Sequence, residues 1–136
     1  MTVYEKQNEI LKDFNDIGDP FDQYAYLIEL SGKLSPLDDG YKTEEYSVKG
    51  CQSTVWLHLY ERDGCVFFDA DSNTFIMKGI LFLLQKVLQG ETFKNVCEAD
   101  IFFLKDASIT GTFESARHKG IGHIIETIKK FALERI

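Results

Sequence analysis

The chain is poor in several features that define common classes of protein. It contains 2 prolines in 136 residues, no repeat and no low-complexity tract, so no linker is expected. Its longest apolar run, residues 80–84, is far shorter than the ~20 residues that cross a bilayer. The first ten residues lack the basic and apolar regions of a secretory signal. We therefore expect a cytoplasmic protein without membrane association.

Cysteine and positive charge are also scarce. Cys51, Cys65 and Cys97 are odd in number and irregular in spacing, which does not fit a disulfide framework. Lys and Arg number 15 against 22 Asp and Glu, giving a formal net charge of -7. That sign is wrong for binding the phosphate backbone of nucleic acids. We expect free thiols and no nucleic-acid partner.

Hydrophobic residues are plentiful, at 44% of the chain with 11 Phe and 6 Tyr, so a packed core is expected. The length fits a single domain over residues 1–136. Capping signals predict three helices: a capping box at Thr2, the pair Asp19-Pro20, and Ser72 ahead of a long apolar stripe that Gly90 ends. One or two short helical pieces are predicted over residues 92–104, then a loop over 106–112. A last helix carries on one face Ile121, Ile124, Ile125, Ile128 and Ala132.

The middle of the chain changes to a period of two. Residues 44–48, 54–60 and 65–70 are rich in β-branched and aromatic side chains, and Arg62-Asp63-Gly64 carries the signal of a hairpin turn. We predict three short antiparallel strands. Helices around a clustered sheet indicate the α+β class, with a small three-stranded antiparallel sheet packed against helices.

One cysteine falls in a predicted loop and not in an apolar stripe. Cys51 follows Gly50 between the first two predicted strands. Glycine there permits a positive φ and a close approach by another chain. A free cysteine is often only a small buried hydrophobe. Position alone therefore leaves a reactive and a structural thiol equally open.

Four groups of residues carry a wider pattern. They are 26–30 with Gly32 and Leu34, 48–53 with Val55 and Trp56, 70–72 with 78–80, and Ser115 with Arg117 and Gly120. Over nearly the whole chain this pattern resembles the SufE-type sulfur-acceptor proteins, which partner pyridoxal-phosphate cysteine desulfurases in iron-sulfur cluster assembly. The segment Gly50-Cys51-Gln52-Ser53 is its most specific part. The resemblance also implies a fold similar to that of the U-type iron-sulfur scaffold proteins.

The resemblance implies that Cys51 carries a persulfide. The chain would accept sulfur from a cysteine desulfurase, stimulate that enzyme, and pass the sulfur to an iron-sulfur scaffold complex as a monomer or weak homodimer. It would hold no cofactor and no metal, and would turn over nothing alone. An apolar pocket lined by some of Trp56, Tyr46 and phenylalanine residues is expected to shield the persulfide.

Sulfur exchange requires a thiolate, whereas a free cysteine with a pKa of ~8.5 is mostly protonated at neutral pH. Lys49, or the positive cluster of Arg117, His118 and Lys119, could favour the anion. The alternative interpretation of the cluster is a solvated helix start, although cations there oppose the helix dipole. The residues predicted to bind the partner or support the thiolate are Gly50, Gln52, Ser53, Arg117 and His118. Arg117 in particular is expected to dock the desulfurase.

Two departures from the family pattern occur. Asn73-Thr74 stands where Asp-Ala is usual, and the proline common before the Ser115 to Arg117 motif is missing. Ser72 is still expected to cap the following helix.

Two alternatives remain open. A zinc or iron-sulfur scaffold would need Cys51, Cys65 and Cys97 to converge, with or without His118. A Cys-His thiol hydrolase would need a histidine beside Cys51, for which His118 is the candidate. Otherwise Cys65 and Cys97 are predicted to be structural. The two remaining histidines, His58 and His123, are predicted to be solvated or satisfied in the core.

Overall fold

The computed structural model describes residues 1–51, 53–105 and 115–136, the last range without the side chains of 115–119. The described residues form five α-helices: α1 Val3–Ile17, α2 Pro20–Ser31, α3 Phe75–Leu88, α4 Phe93–Glu98 and α5 Ser115–Leu133. They also form two strands, β1 Val55–Arg62 and β2 Cys65–Ser72. The predicted loop over residues 106–112 lies outside the described residues. Within the described ranges, every helix is too short or too polar to cross a membrane.

The first two helices begin where the capping signals predict. Thr2 Oγ1 accepts a hydrogen bond from the Glu5 amide, and the Glu5 carboxylate accepts one from the Thr2 amide, both at 3.0 Å. The Asp19 carboxylate accepts from the amides of Phe21 and Asp22 ahead of α2. Because these bonds pair amides that have no partner inside a helix, they fix both helix starts.

The sheet is an antiparallel hairpin whose register pairs Val55 with Ser72 and Arg62 with Cys65. Asp63 and Gly64 both have positive φ, at 53° and 75°, as a two-residue hairpin turn requires. The predicted turn is therefore confirmed. The inner face of the hairpin packs on the helices through Val55, Leu57, Val66, Phe68 and Ala70.

The strand predicted over residues 44–48 is wrong, and the sheet of the described residues has two strands. Glu44–Tyr46 forms a 3-10 turn, in which the Ser47 amide donates to the Glu44 carbonyl. Among the described residues, the backbone contacts of this segment with the hairpin are a bridge between Ser47 and Trp56 and a bond from the Val48 amide to the Val55 carbonyl. Adjacent glutamates disfavour a strand, and the turn uses backbone groups that a ladder would need.

The cap predicted at Ser72 is also wrong by two residues. Helix α3 begins at Phe75, and Thr74 Oγ1 accepts from the Met77 amide. Ser72 instead ends β2, and its hydroxyl donates to the Thr54 carbonyl at 2.7 Å. The hairpin therefore extends further than its apolar pattern suggests.

Helix α3 lies at the centre of the core and packs against α2 and β2. Its approach to α2 is closest at Gly79, where an added Cβ would lie 2.3 Å from the Leu27 carbonyl oxygen. A backbone atom cannot move aside as a flexible side chain can. Gly79 therefore sets the distance between these two helices. Helix α5 packs on α4 and buries Ile121, Ile124, Ile128 and Ala132.

Gly79→Ala should lower the free energy of unfolding by roughly 1 to 3 kcal/mol, the usual cost of overpacking a core. Gly122→Ala is the matched control, because nothing lies within 4 Å of an added Cβ there. It should raise stability by about 0.5 to 1 kcal/mol through helix propensity. Urea unfolding of both variants measures the difference. Equal effects of the two substitutions would contradict the close approach of α2 and α3.

Candidate functional site

Gly50 and Cys51 lie against one face of α5. Gly50 has a φ of +83°, and a Cβ built on it would lie 2.5 Å from His123 Cδ2 and 2.6 Å from His123 Nε2. The positive φ favours glycine at this position, and a side chain there would also require the His123 ring to move. The positive φ that a glycine permits before the cysteine is present in the structure.

The Cys51 thiol is half-buried on the backbone of α5. Its Sγ donates to the Gly120 carbonyl at 3.5 Å. A Cβ added at Gly120 would lie 3.2 Å from Cys51 Cα and 3.3 Å from its Sγ, so a side chain on the helix side would require Cys51 to shift by a few tenths of an ångström. Burial raises the pKa of the Cys51 thiol, because a partly desolvated site disfavours the charged form. This environment favours the neutral thiol.

Lys49, one candidate source of positive charge near the thiol, has a carboxylate partner of its own in the described structure. Its Nζ pairs with the Glu44 carboxylate and bonds the Ser47 hydroxyl, so its charge is already matched by a carboxylate. The side chains of Arg117, His118 and Lys119, and the whole of Gln52, lie outside the described residues. The predictions made for them are neither supported nor opposed by the geometry.

The chain after Cys51 is held by the junction between β2 and α3. The Thr54 amide donates to Asn73 Oδ1 at 3.1 Å, and the Thr54 carbonyl accepts from the Asn73 amide and the Ser72 hydroxyl. The Thr74 hydroxyl bonds the hydroxyl of Ser53, a predicted site residue, at 3.3 Å. Asn73 departs from the family pattern, yet its amide oxygen accepts a hydrogen bond that a carboxylate could equally accept.

The other two cysteines lie on other elements. Cys65 begins β2 with its Sγ 3.7 Å from the Asp63 carbonyl, and Cys97 lies in α4 with its Sγ 3.8 Å from the Lys129 carbonyl. Among the described residues, no three His, Cys, Asp or Glu side chains are grouped as a metal ion would require. The described geometry therefore gives the metal-scaffold alternative no support.

The two histidines outside the cluster have different surroundings. His58 stacks on Tyr41 with ring centroids 3.9 Å apart, on the outer face of the hairpin. His123 was expected to be merely solvated or in the core, and its contact with Gly50 was missed. Nothing local in the sequence indicates that contact, because the two residues are distant in the chain. Their meeting depends on how α5 packs.

A groove of about 380 Å³ runs between residues 45–49 and α5. Its walls carry charged and polar side chains together with Tyr46, Val48 and Leu57. The polar wall residues on the α5 side are His123, Glu126, Thr127 and Lys130. Cys51 and Trp56 are not among the described residues that line this groove, so it is not the apolar pocket predicted to shield the persulfide, and that pocket stays a prediction.

Comparisons with known proteins agree over nearly the whole chain. The model of the family described as "SufE: Fe-S metabolism associated domain" matches residues 8–132. The chain is 28% identical over 134 residues to the cysteine desulfuration protein SufE of Wigglesworthia glossinidia brevipalpis, covering 97% of this chain and 93% of that protein. It is 30% identical over 129 residues to SufE-like protein 1, chloroplastic/mitochondrial, of Arabidopsis thaliana, covering 94% of this chain and 35% of that longer protein.

One solved structure shares the α+β fold. The solution structure of a hypothetical protein from Thermus thermophilus superimposes with a TM-score of 0.77 at 21% identity, covering 95% of this chain and 94% of that one. The likeness is one of fold.

The raised pKa predicts how Cys51 reacts in the free protein. In a Cys65→Ser, Cys97→Ser variant, iodoacetamide should reach its half-maximal rate at a pH above the ~8.5 of an ordinary thiol. Unfolding in urea should return the midpoint to that ordinary value. Because the pKa of the Cys51 thiol is higher in the folded than in the unfolded protein, the neutral thiol contributes to the free energy of unfolding. That contribution is fully present below the unfolded-state pKa and is lost as the pH rises through the folded-state pKa. A folded-state midpoint below the ordinary value would instead indicate a cation beside the thiolate.

Proposed function

Because the chain belongs to the SufE family, we propose that Cys51 accepts sulfane sulfur from a pyridoxal-phosphate cysteine desulfurase for iron-sulfur cluster assembly. A role in sulfur transfer for iron-sulfur metabolism follows from the family itself. The observation that supports the finer proposal is the position of Cys51. Its thiol lies on a segment outside the helices and strands, half-buried against α5, with a glycine before it and a second glycine beneath it.

The proposed reaction is a thiol-persulfide exchange. The Cys51 thiolate attacks the terminal sulfur of a persulfide on the desulfurase cysteine, and a new sulfur-sulfur bond forms on Cys51. The sulfur-sulfur bond of the donor breaks, and the donor cysteine leaves as a thiolate. One thiolate is consumed and one is produced, so the exchange needs no external oxidant or reductant. The pyridoxal phosphate belongs to the desulfurase, and this chain needs no cofactor for the step.

In the free protein, the surroundings of Cys51 limit the reaction of its thiol. Attack needs an exposed thiolate, whereas the described structure holds a half-buried thiol that donates to the Gly120 carbonyl and has a raised pKa. Binding of the donor must therefore break that hydrogen bond or bring positive charge to the sulfur. Until then, the covered neutral thiol is less open to oxidation, because oxidants attack the exposed thiolate. Sulfur then passes from Cys51 to an iron-sulfur scaffold complex in the cytoplasm.

Loading of Cys51 tests the proposed function directly. After incubation with a cysteine desulfurase and cysteine, the peptide that contains Cys51 should gain the mass of one sulfur atom. Cys51→Ser should fold normally and gain none, because a hydroxyl cannot carry sulfane sulfur. Cys65→Ser and Cys97→Ser should load as the wild type does. Loading that survives Cys51→Ser, or that is lost in either of the other variants, would contradict the assignment.

Arg117 tests the contact with the donor. A guanidinium offers a rigid fork of donors suited to a partner carboxylate, and lysine does not reproduce that geometry. Arg117→Ala should weaken desulfurase affinity more than about tenfold, because truncating a desolvated charge contact typically costs roughly 2 to 5 kcal/mol. Arg117→Lys should restore only part of the loss. Titration calorimetry measures both variants. Wild-type affinity together with slower alkylation of Cys51 would make Arg117 a modulator of the thiolate and not a docking residue.

A further inference from the structure

His123 lies where it can control the segment that carries Cys51, here called the Cys51 segment (residues 49–51). Gly120 and His123 are three positions apart on α5 and therefore share a face of that helix. The Gly120 carbonyl accepts from the Cys51 thiol, and the imidazole of His123 lies against Gly50. Gly50 and Cys51, which are consecutive in the chain, thus contact His123 and Gly120 on the same face of α5.

We propose that His123 is a positioning residue for sulfur acceptance: its imidazole packs against Gly50 and holds the Cys51 thiol on the Gly120 carbonyl. The inference deepens the proposed function, because it names the contact that must open before Cys51 can meet a donor. His123 acts through Gly50 and needs no contact with the reacting sulfur.

The environment of His123 argues against a role in the core. Its side chain is 50% exposed, whereas the neighbouring Ile121 and Ile124 of α5 are buried. Its Nδ1 faces the exposed Glu126 carboxylate at 3.9 Å, and the opposite edge of the ring, Cδ2 and Nε2, faces Gly50. Core packing therefore does not require an imidazole at this position. The contact with the Cys51 segment does depend on the ring.

The contact between His123 and Gly50 would control how often the Cys51 segment opens. A half-exposed ring of α5 that packs against a short segment contributes little to the free energy of unfolding of the whole domain, so the segment can open while the domain stays folded. A donor that binds only the open form has an apparent dissociation constant equal to its intrinsic dissociation constant divided by the fraction of molecules that are open. Removing the ring should therefore expose Cys51 more often and leave the core intact.

Alkylation of Cys51 in the free protein tests the proposal without a desulfurase. In the Cys65→Ser, Cys97→Ser background, His123→Ala should raise the iodoacetamide rate about tenfold at fixed pH, with a nearly unchanged melting temperature. His123→Phe keeps a flat ring beside Gly50 and should restore most of the slow rate. The matched control is Glu126→Ala, which removes an exposed neighbour on the same helix and should leave the rate unchanged.

A double-mutant cycle tests the contact itself. Gly50→Ala places a Cβ within 2.6 Å of the ring and should also speed alkylation. In the His123→Ala protein that clash is gone and only the strain of a positive φ remains. The double variant should therefore react several-fold more slowly than the product of the two single effects predicts, as expected for residues in contact.

Each outcome decides for or against the proposal. An unchanged rate in His123→Ala, no restoration by His123→Phe, or single effects that multiply in the double variant would overturn it. The proposed function is judged separately, by whether the wild-type Cys51 peptide gains sulfur from a desulfurase. Loading of the wild type together with an unchanged His123→Ala rate would leave sulfur acceptance standing and remove His123 from it.

Discussion

The arrangement around Cys51 depends on the absence of side chains at two positions, one on each side of a backbone contact. Gly50 adopts a φ of +83° under the edge of the His123 ring, and Gly120 leaves space for the backbone and sulfur of Cys51. A methyl group at Gly50 would meet the ring at 2.5 Å, and one at Gly120 would lie within 3.3 Å of the sulfur. The close approach of the two backbones brings the thiol to the Gly120 carbonyl and half-buries it, and that burial raises its pKa.

The Cys51 segment lies between parts of the fold that are held more firmly than the segment itself. Helix α5 is fixed by buried isoleucines that pack into the core with α4, and residues 53 and 54 are fixed by hydrogen bonds to the β2–α3 junction. Among the described contacts, the Cys51 segment between them is held by the thiol hydrogen bond to Gly120, by the ring of His123 and by the exposed bonds of Lys49 to Glu44 and Ser47. Contacts that are long, or that are made by exposed side chains, give a low free energy of local opening. A rigid frame around a weakly held thiol suits the proposed acceptance of sulfur on Cys51.

Local signals predicted much of this structure. The capping pairs at Thr2 and Asp19 and the Asp63-Gly64 turn are each encoded within a few residues, so the sequence alone placed them. The strand over residues 44–48 was wrong because a 3-10 turn competes locally with weak pairing. The contact of His123 with Gly50 could not be predicted from spacing, since it exists only once α5 packs. The motif predicts Cys51 as the sulfur carrier, and the fold adds that its thiol is half-buried against α5, which raises its pKa.

Single-turnover transfer from a desulfurase loaded with sulfur-35 tests the central claim, acceptance of sulfur on Cys51, most directly. Rapid mixing, alkylation and peptide mapping would follow the label on both proteins over time. The account predicts that label leaves the desulfurase cysteine and appears on the Cys51 peptide with the same rate constant. Label that first appears on Cys65 or Cys97, or that is released as free sulfide while Cys51 stays unlabelled, would contradict it.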